Sequence, residues 1–147
     1  MRISAKGRYG LAAAVQMVEY QGAGAVPIAA IAEKLGISKI YLEQIFTLLK
    51  RAGLVQSVKG SQGGYLLARG ADQITACGVL SALEQLLFEE TEPSVAELAP
   101  GVEQAMRQLV YAPLDQSVRS ALQAVTLADL SEAARANGQA GGYMFFI

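Results

Sequence analysis

The sequence contains no histidine, no tryptophan and a single cysteine, Cys77. A disulfide within one chain is therefore impossible, and a zinc or iron–sulfur site built by one chain would require several Cys or His ligands. No nucleophile beside a general base and no pair of catalytic carboxylates can be recognised. We therefore expect the chain to be neither an enzyme nor a protein that needs a metal or cofactor.

Long apolar runs are also missing. No window approaches the ~18–20 apolar residues of a membrane span, and residues 1–4 do not open a signal peptide. These absences predict a cytoplasmic protein without a membrane partner. With 147 residues, 52% of them hydrophobic, the chain is long enough for one domain with a core, or for a small domain with an extension.

The net charge of −1 conceals an uneven distribution. Residues 1–70 contain nine Lys or Arg and three Asp or Glu, a balance of +6, whereas residues 71–147 contain three and ten, a balance of −7. A basic first half joined to an acidic second half is consistent with a polyanion-binding region followed by a region that does not bind. Ordinary solubilising charge is the alternative.

Two short apolar stripes with helical spacing lie between Pro27 and Gly53. The first repeats at positions i, i+3, i+4 and i+7 and consists of Ile28, Ile31, Ala32 and Leu35. The second repeats in the same way and consists of Leu42, Ile45, Phe46 and Leu49. Because only residues 36–38 separate the two predicted helices, the pattern is typical of a helix-turn-helix.

Two β-forming segments follow the second stripe. Residues 54–58 and 65–67 flank a glycine-rich tip at residues 59–64, which is typical of a hairpin. The sequence therefore predicts a mainly α fold with a small β-hairpin wing, that is, a winged helix-turn-helix followed by a C-terminal dimerisation helix.

The polar side of the second helix and the hairpin tip form the candidate DNA-binding surface. The major groove admits a helix, so Glu43 and Gln44 are candidates for base contacts, with Ile40 against a thymine methyl. Lys59 on the glycine-rich tip is suited to contact phosphate. The complete candidate set is Arg2, Lys6, Arg8, Ser38, Lys39, Ile40, Tyr41, Glu43, Gln44, Thr47, Lys50, Arg51, Lys59, Gly60, Gln62 and Gly63.

Further helices are predicted on both sides of this unit. The first precedes it and is expected to bury Leu11, Ala14, Val15 and Val18. Another is expected to run from an N-cap at Thr75 to about residue 88, with Leu86 and Leu87 in its apolar stripe. An acidic loop or a broken helix is predicted at residues 89–99.

A long apolar stripe between residues 102 and 125 exceeds what the basic head can cover, so we expect it to pair two copies of the chain. Pro113 interrupts it and predicts a kink or a new helix start. A short capped helix at residues 126–130 and a flexible linker at residues 137–142 follow. The expected organisation is a DNA-binding region at 1–70, a helical dimerisation region at 71–130, and a linker with an apolar tail at 131–147.

Three segments together resemble the BadM/Rrf-type family of winged-helix repressors: residues 1–10, 37–44 and 59–65. The resemblance implies a dimer in which the second helix of each helix-turn-helix, the recognition helix, contacts a palindromic operator in double-stranded DNA. Lys59 stands where the family often has an arginine that enters the minor groove, so the charge is kept but the flat guanidinium is lost. Family members that bind an iron–sulfur cluster have three cysteines in the segment that corresponds to residues 88–104, where this chain has none. A cluster-free member is implied.

The last five residues resemble the C-terminal tail of the family's cysteine-metabolism repressors, which act with cysteine synthase (O-acetylserine thiol-lyase) as corepressor. These residues are Tyr143, Met144, Phe145, Phe146 and Ile147. The resemblance implies that the tail enters the active site of that enzyme, with the Ile147 carboxylate mimicking the amino-acid substrate and O-acetylserine competing for the site. From composition alone, the tail is instead expected to pack against its own dimer.

Two alternative functions stay open at this stage. Cys77 is placed in the first turn of a predicted helix, where the helix dipole favours a thiolate, so it is a candidate redox sensor as well as a small buried residue. The second alternative is a protein-interaction module without a DNA role, in which the second helix is simply amphipathic and the hairpin tip is a solvated loop.

Overall fold

The computed structural model of the chain describes residues 2–145, with side chains as far as residue 139. The helices are α1 (Ala5–Met17), α2 (Ile28–Leu35), α3 (Lys39–Arg51), α4 (Ala76–Leu83), α5 (Pro100–Met106), α6 (Ala112–Gln123) and α7 (Leu127–Phe145). Two antiparallel strands, β1 (Val55–Val58) and β2 (Gly64–Leu67), follow α3. Within this part of the chain, no helix combines the length and hydropathy needed to cross a membrane.

The predicted helix-turn-helix is confirmed as α2 and α3. Gly36 ends α2 with φ of 67°, in the left-handed region that favours glycine. Ser38 then caps α3, because its side chain accepts a hydrogen bond of 3.2 Å from the Tyr41 N–H. Gly53, with φ of 76°, follows the end of α3 and turns the chain into β1.

The predicted hairpin is confirmed as well. Val55 pairs with Leu67 and Val58 with Gly64, so residues 59–63 form the tip. An isolated bridge joins β2 to the turn before α2, with reciprocal N–H to carbonyl bonds of 2.9 Å between Val26 and Tyr65. A side chain at position 64 would overlap with the Val26 carbonyl, so this close approach requires Gly64.

The four helices α1, α2, α3 and α4 share one hydrophobic core with the base of the hairpin and the start of α7. Its largest fully buried side chains are Met17, Ile31, Leu42, Ile45, Phe46, Leu49, Ile74, Val79 and Leu127.

The predicted buried face of α1 is only partly right. Ala14 is buried, but Leu11, Val15 and Val18 are half-buried, and Ala13 and Met17 are the other apolar side chains of α1 in the core. The reason is that Gly7 and Gly10 let the end of α4 approach α1 so closely that a Cβ at either position would overlap with α4 or the residue that follows it. The helix therefore turns its glycine face towards α4.

The helix predicted from residue 75 to about residue 88 is shorter than expected. Thr75 is its N-cap, with a 3.0 Å bond from the Gly78 N–H, but α4 ends at Leu83 and Glu84 is extended. A separate 3-10 turn, Leu86–Phe88, follows, and Leu86 is 80% exposed rather than buried. Residues 89–99 contain no helix or strand, which agrees with the predicted loop and not with the alternative of a broken helix.

The long apolar stripe forms one nearly continuous helical segment with a π-helical turn, Arg107–Tyr111, between α5 and α6. The Ala112 N–H bonds to the Arg107 carbonyl, five residues earlier, immediately before Pro113. Proline lacks an N–H and disturbs the ladder of an α-helix, and a π-helical turn is one way to absorb the disturbance. The irregularity predicted at Pro113 is confirmed.

The C-terminal part differs most from expectation. Thr126 and Asp129 form a reciprocal cap, with bonds of 3.0 and 3.1 Å between each side chain and the other residue's N–H. The helix that begins there is not short, because α7 continues to Phe145. The prediction of a flexible linker at residues 137–142 is wrong, since these residues are helical.

Candidate nucleic-acid interface

The outer side of α3 is exposed along its whole length. Leu42, Ile45, Phe46 and Leu49 are buried, which leaves the opposite side to solvent. On this side Ile40 is 71% exposed, and Glu43 and Gln44 are exposed beside it. An apolar side chain and two hydrogen-bonding side chains at the start of an exposed helix match what base edges in the major groove require.

Among the remaining candidates on α3, some side chains form hydrogen bonds within the helix and others are exposed cations. Ser38 is used as the N-cap, and the Thr47 hydroxyl donates to the Glu43 carbonyl at 2.8 Å. Lys39, Lys50 and Arg51 are exposed cations. Their positions at the two ends of α3 suit phosphate contacts on either side of the groove.

Tyr41 connects α3 to α1. Its ring meets the ring of Tyr9 edge to face, with centroids 5.8 Å apart and an interplanar angle of 89°. Tyr9 remains exposed and was not among the sequence candidates. Its aromatic type in a basic segment was the available signal, and the contact places the start of α1 beside the start of α3.

The three N-terminal cations Arg2, Lys6 and Arg8 are exposed. Arg8 is partly committed, because its Nη1 donates to the Ile3 carbonyl at 2.6 Å. It also borders an apolar cleft of about 590 Å³ between α1 and α7. Arg2 and Lys6 are therefore the freer cations of this segment.

The wing presents Lys59, Gly60 and Gln62 to solvent, and Gly63 is half-buried. Gly60 has φ of 108°, a backbone conformation that favours glycine. A backbone without side chains can approach a sugar–phosphate strand closely, and Lys59 supplies the charge.

Cys77 lies outside this surface. It is 6% exposed within α4, with Sγ 3.9 Å from the Ser81 hydroxyl. Because a buried thiol is shielded from oxidants, its surroundings favour the packing interpretation. The predicted docking tail lies outside the described residues, because Phe146 and Ile147 and the side chains of Tyr143 to Phe145 are not among them.

A protein-family model described as Rrf2, an iron-dependent transcriptional regulator, matches residues 3–133 of the chain. The regulator CymR of Bacillus subtilis is 36% identical over 147 residues, the full length of both proteins. The regulator IscR of Erwinia tasmaniensis is 37% identical over 130 residues, which cover 88% of this chain and 78% of the relative.

The iron in that family description does not fit the residues of this chain. Its single cysteine lies in α4, and the described residues contain no group of three His, Cys, Asp or Glu side chains placed to hold a metal. In the segment where the resemblance places cluster ligands, Glu103 instead accepts N–H bonds of 2.9 and 3.0 Å from Val95 and Ser94. The bond from Val95, followed by the bond from Ser94, lowers the pKa of Glu103, and the nearby Arg107 charge lowers it by a smaller amount. Through these two bonds the Glu103 carboxylate holds the preceding loop against α5.

Solved structures agree with the sequence comparison. CymR of B. subtilis superposes with a TM-score of 0.75 at 34% identity, covering 90% of this chain and 98% of that one. IscR of T. potens superposes with a TM-score of 0.74 at 34% identity, covering 99% and 96%. Both share the winged helix arrangement described above. The chain is therefore a transcriptional regulator of the Rrf2 family.

Proposed function

We propose that the chain acts as a homodimer that binds a palindromic operator and represses genes of sulfur-amino-acid metabolism. The observation that carries DNA binding is the exposed start of α3, where Ile40 stands beside Glu43 and Gln44 with the basic wing following. Membership of a family of transcriptional regulators supports the same use of this surface.

The apolar side of the α5–α6 segment supports the dimer. Leu109 is 79% exposed, and three further apolar residues of the segment are exposed with it: Val102, Val110 and Leu114. Apolar side chains grouped on one exposed helix indicate an interaction surface. Pairing with a second copy covers them, and a two-fold dimer presents two α3 helices to successive major grooves.

The sulfur-metabolism role rests on similarity and on the tail. CymR, which this chain matches over its full length, is the global cysteine regulator of B. subtilis. The apolar end of this chain resembles tails that enter cysteine synthase. We therefore propose that cysteine synthase is the corepressor and that residues 143–147 dock in its active site, where O-acetylserine competes with them.

The DNA surface is tested by separating base contacts from phosphate contacts. Gln44→Ala and Glu43→Ala are expected to relax discrimination at particular base pairs by about 1–3 kcal/mol per lost contact. Lys59→Ala and Lys6→Ala are each expected to weaken binding to every sequence and to reduce the magnitude of the salt slope by about 1 per protomer, or about 2 for the dimer. Binding is measured by fluorescence anisotropy on duplexes selected by the native protein from a random pool, and on single-base variants of them.

The two classes of variant serve as controls for each other. If none of the four changes affinity, the DNA surface is misplaced. If the native protein binds no duplex, or binds without salt dependence, the protein-interaction module is the better description.

The tail is tested by removing its last two residues. Deleting Phe146 and Ile147 is expected to weaken association with cysteine synthase by more than about 2 kcal/mol, roughly 30-fold, because it removes an aromatic anchor and shifts the terminal carboxylate. Adding one glycine after Ile147 keeps every side chain but moves the carboxylate, so it is expected to weaken association too. Association is measured by calorimetry with and without O-acetylserine.

Arg135→Ala is the matched control, since Arg135 is an exposed residue earlier in α7. It is expected to leave association unchanged. Native affinity in the deleted protein would exclude docking by the tail and leave the DNA function untouched.

A further inference from the structure

The start of α1 is capped by two side chains, one of them distant in sequence. Ser4 is the N-cap, and its hydroxyl accepts a bond of 3.1 Å from the Gly7 N–H. The Ser4 N–H in turn donates to Glu84 Oε1 at 2.6 Å, across 80 residues. Glu84 is the residue that directly follows α4.

This arrangement is a capping box completed from another helix. In an ordinary capping box, the third residue of the helix is Glu or Gln, and its side chain accepts from the N–H of the cap residue. Here that third residue is Gly7, which has no side chain. The Glu84 carboxylate occupies its place, so closely that a Cβ on Gly7 would overlap with Oε1.

The bond between Ser4 and Glu84 joins two segments for which different functions are proposed, namely DNA binding and dimerisation. Lys6 lies in the capped first turn of α1, and Arg2 borders the same surface depression as Ser4 and Glu84. On the other side, the 3-10 turn Leu86–Phe88 begins two residues after Glu84 and leads towards α5 and α6. Glu84 thus stands between the free N-terminal cations and the apolar segment proposed to pair two copies.

We infer that Glu84 is a positioning residue for DNA binding, an inference that rests on the proposed DNA function. Its carboxylate fixes the start of α1 so that Arg2 and Lys6 face the phosphates in an ordered segment. An ordered segment loses less conformational entropy when it binds than a frayed one. The negative charge itself opposes phosphate binding, so the benefit comes from position rather than from electrostatic attraction.

The test compares Glu84→Ala with Glu84→Gln. Glu84→Ala is expected to weaken binding about 5- to 20-fold near 0.15 M salt and to reduce the magnitude of the salt slope by about 1 to 2 for the dimer, because the cations of the frayed segment are weakened as phosphate contacts rather than removed. Glu84→Gln keeps the acceptor oxygen and is expected to retain the native slope. The probe is a duplex of 30 base pairs selected by the native protein, titrated between 0.05 and 0.3 M NaCl.

Gly7→Ala disrupts the bond between Ser4 and Glu84 without changing either of these residues. Its methyl group displaces the carboxylate while Glu84 remains, and alanine favours the helical backbone, so this variant is expected to fold and to show the same loss of slope. Glu132→Ala removes one negative charge from an exposed position on α7 and is the control for charge alone. Thermal unfolding establishes that each variant is folded.

The outcomes separate the two proposals. A native salt slope in both Glu84→Ala and Gly7→Ala overturns the role of Glu84 while DNA binding by the native protein stands. Weaker binding with an unchanged slope also overturns it, because it indicates a general structural effect. Absence of salt-dependent binding in the native protein overturns both.

Discussion

Replacing Leu109 with aspartate is expected to separate the proposed dimer into folded monomers and to abolish high-affinity operator binding. Leu109 is the most exposed apolar residue of the π-helical turn and takes no part in the core of the monomer. Burying a leucine contributes about 1.5–3 kcal/mol, and a two-fold dimer loses this contribution twice. The dissociation constant of the dimer should rise by at least about a hundredfold, before the cost of burying two carboxylates is added.

The measurement is sedimentation equilibrium over a range of concentrations, followed by operator binding under the same conditions. Gln104→Asp is the matched control, because it introduces the same charge at an exposed polar position in the same helical segment. It is expected to leave the dimer intact. If the Leu109→Asp protein sediments as the native dimer does, the α5–α6 segment does not form the interface.

The elements that could be predicted are those whose signals are local. Gly36 and Gly53 follow apolar stripes and adopt the positive φ angles that glycine permits. Thr75 is an N-cap as predicted, since its side chain accepts a hydrogen bond from the N–H three residues later. Such features depend on neighbours within one turn, so a single sequence is enough to locate them.

The elements that could not be predicted depend on contacts between distant segments. The apolar stripe of α4 continues through Leu86 and Leu87, yet the helix stops at Leu83 where Glu84 turns to the start of α1. The glycines at residues 138, 141 and 142 indicate a linker, but the capped start of α7 extends into a helix that includes them. Propensity is a weak prior where the surroundings decide.

The candidate site shows the same division. The helical spacing of the buried apolar residues on α3 was enough to predict that Glu43 and Gln44 are exposed. The roles of Tyr9 and Glu84 did not, because each depends on a partner in another helix. Gly7 and Gly10, three residues apart inside a helix, were the one available sign that something approaches α1 closely.

Phe46 connects the two parts of the proposed DNA-binding surface, α3 and the wing. It is fully buried on the inner side of α3, and its ring centroid lies 4.8 Å from that of Tyr65 on β2. Tyr65 in turn is bridged to Val26, two residues before the start of α2. The position of the wing relative to α3 therefore depends on this aromatic pair as well as on the backbone turn at Gly53.

Phe46→Ala is expected to lower the free energy of unfolding by about 3–5 kcal/mol, from lost apolar burial, the residual cavity and the lost ring contact. Since domains of this size are stable by only about 5–15 kcal/mol, the urea midpoint should fall by at least about 1 M. Phe46→Leu refills part of the space and should cost about 1–2 kcal/mol. Thr47→Ala, at the exposed neighbouring position, should change stability by less than about 0.5 kcal/mol. A Phe46→Ala protein with the native midpoint would mean that α3 and the wing are held together by other contacts, and that the aromatic pair does not set their relative position.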